Sequence, residues 1–125
     1  MYKEILPLNC PHQSAQEEEK YLYRIFKTNQ THEGEFECYV KTFPEKEKYK
    51  THCAAYAISL FETREVALAY SRKGLGNHLA KVLVKKDHGK LHLSNKKTGH
   101  YNLWLYDTFD CSQLQVEIET ILHAQ

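Results

Sequence analysis

The chain of 125 residues is short of the residues that punctuate or staple small folds, with five glycines, three prolines, one methionine and one tryptophan. Its four cysteines, Cys10, Cys38, Cys53 and Cys111, stand far apart and form no C-x-x-C pair. Zinc knuckles and disulfide frameworks use close, paired cysteines, so this spacing predicts reduced thiols, no disulfide, no metal and a cytoplasmic location. No apolar run approaches the roughly 18 residues that a membrane helix needs, so no membrane partner is expected. Met1 to Lys20 lacks the basic-then-apolar order of a secretion signal. A Walker-type phosphate loop is absent, because Gly74-Leu75-Gly76 lacks the lysine and the spacing, and no G-x-G-x-x-G, H-E-x-x-H or G-x-S-x-G occurs. Several large enzyme classes lose their usual signatures on that ground.

What is present suits one packed domain. Hydrophobic residues make up 42% and aromatic residues 12% of the chain, enough apolar surface for a core at this length. Nine tyrosines supply large apolar bodies with polar tips, suited to core edges, pockets and interfaces. The net charge is +1, unevenly placed: between Arg72 and Lys97 stand eight basic residues and a single acid, Asp87. That stretch offers phosphates of a nucleotide, a dinucleotide or a nucleic acid a place to bind, against the plainer reading of lysines on wet strand faces.

Along the chain, residues 1 to 19 read as a loosely held arm and 20 to 125 as one α+β domain with a largely antiparallel sheet and two to three helices. Tyr21 to Phe26 is a strand, with Leu22, Arg24 and Phe26 on one face. Thr31 is placed to cap a short helix carrying Phe36, Tyr39, Val40 and Phe43, which Pro44 ends. A strand at Ala54 to Phe61 leads to a helix from Thr63 to Lys73, stopped by Gly74, with Val66, Ala69 and Tyr70 inward. His78 to Lys86 and Lys90 to Leu93 read as a hairpin across Asp87-His88-Gly89, followed by a strand from His100 to Tyr106. Residues 112 to 125 fit a helix capped by Ser112 (Leu114, Ile118, Ile121, Leu122) and a strand (Leu114, Val116, Ile118) equally well. A monomer or small homo-oligomer is expected.

The side chain of greatest chemical interest is Arg24. Between Leu22 and Phe26 its guanidinium enters a semi-buried space and needs a partner, either an internal group or a ligand phosphate. His100, entering an aromatic strand beside Tyr101 and before Trp104, is the best placed of eight histidines for acid, base or hydrogen-bond work. His88 and His92 are four apart, but Gly89 between them argues against a helical metal pair. Cys53 beside His52 is better read as a buried structural cysteine than as a thiolate nucleophile, since strand neighbours point to opposite faces.

Tyr23-Arg24, Cys53-Ala54-Ala55 to Ser59, His88-Gly89, and His100 with Trp104 make residues 20 to 107 resemble small bacterial stand-alone proteins of unknown function. A second resemblance, to compact ADP-ribosyltransferase-like domains including RES-type toxins, is carried by Leu22-Tyr23-Arg24, by Ala57-Ile58-Ser59 before the helix from Thr63 to Tyr70, and by Glu117-Ile118-Glu119. Ser-Leu-Phe stands where that family has Ser-Thr-Ser. This resemblance implies an NAD-consuming toxin or effector, with Arg24 on the pyrophosphate, Ser59 and Tyr70 shaping the pocket, and Glu117 or Glu119 stabilising the oxocarbenium-like transition state. Two other classes stay open. One is a small RNase or RNA-binding toxin with His100 as acid or base and the region from Arg72 to Lys97 on phosphates. The other is a non-catalytic module that meets a protein partner through its tyrosines and Trp104.

Overall fold

The computed structural model describes residues 1–71 and 76–121. Six strands form one antiparallel sheet: β1 (Lys20–Phe26), β2 (Ile58–Phe61), β3 (His78–Val84), β4 (Gly89–Asn95), β5 (His100–Leu105) and β6 (Val116–Thr120). Their spatial order is β4-β5-β2-β1-β3-β6. Among the described residues two α-helices accompany them, the one-turn α1 (Tyr39–Thr42) and α2 (Arg64–Tyr70), so the domain is mostly β. Among the described residues no helix is long and apolar enough to cross a membrane.

The sheet is not flat. Between β3 and β4 stand β1, β2 and β5, so a flat sheet would separate the two by four strand spacings, about 19 Å. Val84 and Gly89 are five residues apart, a reach of at most about 17 Å when fully extended. Residues 85–88 are not extended, since His88 N–H donates to the Lys85 carbonyl at 3.0 Å. The sheet therefore coils, and its concave face gathers the main core. Leu22 and Phe26 of β1, Ile58 and Leu60 of β2, Val82 and Val84 of β3, Leu91 of β4 and Leu103 of β5 share one buried cluster. The alternate residues Tyr23, Ile25, Phe61 and Leu79 lie on the convex face under α2, packed against Ala67, Val66, Leu68 and Tyr70. At α2 the Thr63 hydroxyl accepts from Val66 N–H at 3.3 Å, which caps the helix as expected. Its inward residue is Ala67, wholly buried, whereas Ala69 is exposed. The expected continuation to Lys73 and the stop at Gly74 fall outside the described residues.

Several local expectations are corrected by tertiary pairing. β3 pairs with β1 and β6, and β4 pairs with β5, so the expected hairpin across Asp87-His88-Gly89 does not form. The hairpin is β4–β5, joined at residues 96–99. Thr31 caps nothing. His32 caps a 3-10 turn (Glu33–Phe36) by accepting from Gly34 N–H, and the extended Cys38 separates that turn from α1. β2 begins at Ile58 because Cys53–Tyr56 form a 3-10 turn. Val116–Thr120 is strand, so the helical alternative for that stretch is removed, with Leu122 outside the described residues.

Cys10 and Cys53 form a disulfide with Cα atoms 5.5 Å apart, while Cys38 and Cys111 are free and buried. The expectation of four reduced thiols fails for this pair because the arm folds back over the sheet and brings together cysteines 43 positions apart. Burial raises the Cys38 and Cys111 thiols above their ordinary value, so they stay protonated at neutral pH. The first 19 residues are also tied down by Lys3 N–H to the Leu105 carbonyl and by a two-way backbone exchange between Gln16 and Leu91.

Candidate functional site

Strand alternation decides which of the candidate residues can meet. Arg24 points to the concave face with Leu22 and Phe26, opposite Ala80 of β3. β1 and β2 are in register only at Tyr23 and Phe61, and beyond that point Arg24 bridges the two strands. Its Nη1 donates to the Ser59 carbonyl at 2.7 Å, and its Nε donates to the Glu35 carbonyl at 2.8 Å. The Glu35 carboxylate is buried and accepts from Lys27 N–H, Thr28 N–H and the Thr28 hydroxyl, which closes the end of β1. Burial draws the Arg24 pKa down to about 10, opposed by the Glu35 carboxylate and Tyr39, so the guanidinium keeps its charge at neutral pH.

Ser59 and His100 project from the convex face, on the other side of the sheet from Arg24. Phe61, two residues beyond Ser59, packs edge-on against the His100 ring at 5.4 Å and stacks on Tyr70 at 4.7 Å. The Ser59 hydroxyl lies 3.0 Å from His100 Nε2. On the other side of the ring, Ser94 Oγ hydrogen-bonds His100 Nδ1 and also donates to the His100 carbonyl at 3.1 Å. With a neutral ring, one proton arrangement satisfies all three bonds. The Ser94 hydroxyl spends its hydrogen on the carbonyl and accepts from Nδ1–H, which leaves Nε2 as the acceptor for the Ser59 O–H. Partial burial lowers the His100 pKa, which keeps the ring neutral at neutral pH. A serine hydroxyl donating to a neutral imidazole, itself oriented through its other nitrogen, is the arrangement from which a base can strip a serine proton.

The register places two further groups beside this pair. Ser59 and His92 both face Asn102, from β2 and β4 respectively. Asn102 is 7% exposed, and its carboxamide makes no hydrogen bond among the described residues. His92 carries a stacked partner from the arm, His12, with ring centroids 3.9 Å apart. Trp104, next along the same face, donates to the Cys53 carbonyl at 3.0 Å, so the disulfide-bearing turn borders the site.

Glu117 and Glu119 lie elsewhere. They sit on edge strand β6, opposite Lys81 and Leu79, with β3, β1 and β2 between them and the strand that carries His100. Glu119 is engaged by Arg64 of α2 through Nη2 at 2.7 Å and Nε at 2.9 Å. Of the six residues singled out in the sequence, the fold joins Ser59 and His100, with Tyr70 one ring away, and leaves Arg24 and the two glutamates apart. Sequence reasoning missed Ser94 and Asn102. A signal for both exists: the polar loop before His100 makes Ser94 and His100 hairpin neighbours, and alternation puts His100, Asn102 and Trp104 on one face.

Of the basic stretch, residues 72 and 73 are outside the described residues. Lys81 lies on β3, Lys90 on β4, and Lys85, Lys86, Lys96 and Lys97 in the turns between strands. A cavity of about 270 Å³ opens on the concave side between the arm and the Glu33–Phe36 turn, lined by Lys3, Leu6, Phe36, Cys38, Ile58 and Leu105 among others, and its lining includes none of Arg24, Ser59, Tyr70, His100, Glu117 and Glu119. Among the described residues no three His, Cys, Asp or Glu side chains converge on a metal position. No protein-family model, no curated protein and no solved structure matches this chain.

Proposed function

We propose that the convex-face site is an ester-cleaving centre in which Ser59 is the nucleophile and His100 the general base. The observation that carries this reading is the contact chain from Ser59 Oγ to His100 Nε2 at 3.0 Å and from His100 Nδ1 to Ser94 Oγ, whose own hydrogen goes to the His100 carbonyl. It supplies a base in its neutral form and fixes the imidazole edge that faces the hydroxyl. In the first half-reaction Ser59 Oγ attacks the electrophile while its proton passes to Nε2. The leaving oxygen then takes that proton, and water repeats the sequence to free Ser59. The disulfide-held arm, with His12 on His92, walls the site on the β4 side.

A fluorophosphonate probe followed by intact-mass and peptide mapping tests the nucleophile directly. The expected outcome is a single adduct on Ser59, lost in Ser59→Ala and slowed about 10²–10⁴-fold in His100→Gln. The same protein is offered NAD and a mixed RNA. Nicotinamide release that disappears in Glu117→Gln or Glu119→Gln would support the NAD-consuming reading instead. RNA cleavage that survives Ser59→Ala would support the ribonuclease reading. Absence of a Ser59 adduct on the folded protein removes the ester-cleaving proposal.

A further inference from the structure

Asn102 is 7% exposed as a residue, and its carboxamide makes no hydrogen bond among the described residues. Its polar atoms are not sealed off, since Thr98 Oγ1 is the one fully buried side-chain polar atom without a partner among the described residues. A residue packed in place by its neighbours, with an amide open to solvent and bonded to no protein group, offers a positioned donor to a ligand. Its place in the register says which atom of the ligand it would meet. It is the direct cross-strand neighbour of Ser59, so the two Cβ atoms lie about 5 Å apart. It is also two residues from His100 on the same side of β5, which puts base, nucleophile and amide on three corners of one small patch. The neighbouring group on its far side, the His92 ring, is occupied by its stack with His12.

We propose that Asn102 Nδ2–H is the donor that receives the carbonyl oxygen of the substrate, and that the substrate is consequently a carboxylic ester or thioester rather than a phosphate ester. This rests on the assignment of Ser59 and His100 above and deepens it. When Ser59 Oγ forms its bond to the carbonyl carbon, the π pair moves onto the carbonyl oxygen and the serine proton moves to His100 Nε2. The oxyanion so formed is negative where the ester oxygen was neutral, so a fixed N–H aimed at it favours the transition state over the ground state. Collapse returns the pair, breaks the bond to the alcohol or thiol, and passes the proton from Nε2 to that leaving group. The charge inventory separates acyl from phosphoryl chemistry. Phosphoryl transfer calls for cations around the equatorial oxygens. Among the described residues no hydrogen bond or ion pair joins a lysine or arginine head group to Ser59 Oγ, the His100 ring or the Asn102 amide. Lys90, the same-face cation on β4, stands opposite Trp104 rather than opposite Asn102, and the Arg24 guanidinium reaches the Ser59 carbonyl from the other side of the sheet. A single neutral donor suits a single developing charge.

The test is steady-state kinetics of the full chain on p-nitrophenyl acetate and on bis-p-nitrophenyl phosphate, with Asn102→Leu and the isosteric Asn102→Asp. The expected results are that wild type turns over the acetate and not the phosphate, and that each variant loses about 10²–10³-fold in kcat with KM within about twofold. A trifluoromethyl ketone, whose serine adduct carries the oxyanion, should lose affinity in step with kcat/KM. Fluorophosphonate labelling of Ser59 serves as the separate readout for the underlying assignment. Labelling intact together with unchanged kcat in both variants overturns the role of Asn102 and leaves Ser59 and His100 standing. Labelling absent brings down both. Should Asn102→Leu fail to fold, Asn102→Asp and the wild-type substrate preference still decide, and preference for the phosphodiester overturns the inference.

Discussion

At the scale of single residues, one telling side chain keeps its charge at neutral pH and another gives it up. Arg24 spends donors on two backbone carbonyls, that of Ser59 on β2 and that of Glu35 in the Glu33–Phe36 turn. Removing it should orphan both. We expect Arg24→Ala to lower unfolding stability by about 2–4 kcal/mol, with Arg24→Lys recovering little, since an ammonium on a flexible stem does not bridge two fixed acceptors. Urea denaturation of the two variants checks this, and a wild-type midpoint for Arg24→Ala would refute the bridging role. Burial disfavours the charge of both, but His100 starts from a much lower value and is left neutral. Its folded pKa is below the ordinary 6.5, so the unfolded chain binds more protons between the two values. Its contribution to stability is therefore complete above about pH 6.5 and is lost as pH falls through the depressed folded value. His88 and His92, lowered first by burial, add in the same direction. Urea midpoints should hold steady above about pH 7 and decline below about 6.5, less steeply in His100→Gln. Any ester-cleaving activity should keep its acid limb below the ordinary histidine value, and a limb above it would contradict the buried, neutral ring.

At the scale of elements, the β4–β5 hairpin does the positioning. A register shift between Leu93 and Asn95 marks a bulge at Ser94, where the strand turns its hydroxyl toward both His100 Nδ1 and the His100 carbonyl. The far end of the hairpin is held by close approach. A Cβ on Gly89 would sit 2.2 Å from the Trp104 carbonyl oxygen, a contact that backbone must move to relieve. Gly89→Ala should cost about 1–3 kcal/mol and shift the strand carrying Asn102 and Trp104. Trp104 is the chain's single tryptophan and is 2% exposed, so a red-shifted native emission reports the movement without ambiguity. Unchanged emission and stability would show that the hairpin tolerates the extra atom.

At the scale of the molecule, the Cys10–Cys53 bridge binds the arm to the turn that receives the Trp104 indole. Cross-linking residues 43 apart removes substantial freedom from the unfolded chain. Its loss, in Cys10→Ser with Cys53→Ser or by treatment with a dithiol, should lower stability by about 2–4 kcal/mol. The double variant should then be indifferent to the dithiol. A wild-type melt that is insensitive to reduction would show that the two thiols are not bridged. The arm's other anchors, Lys3 on Leu105 and Gln16 on Leu91, should keep the sheet folded after reduction, so secondary structure by circular dichroism should persist at room temperature.

Much that is local was legible in the amino-acid order. Alternation in Tyr21 to Phe26 put Arg24 beside Leu22 and Phe26, Thr63 declared the start of α2, and Ser59 and His100 were marked as strand-borne polar residues. A period of two specifies which face a side chain takes, and capping chemistry acts within one turn, so neighbours along the chain suffice. Which strands lie side by side is a different matter. The apolar residues of β3 are equally satisfied beside β4 or between β1 and β6, and only the coiled sheet, closing one core from six strands, chooses the latter. That choice sends Glu117 and Glu119 to an edge away from His100, turns Arg24 to carbonyl partners inside the concave face, and brings Cys10 to Cys53. It also sets Asn102 against Ser59. Distances across strands depend on pairing between segments far apart in sequence, and no local pattern carries that information.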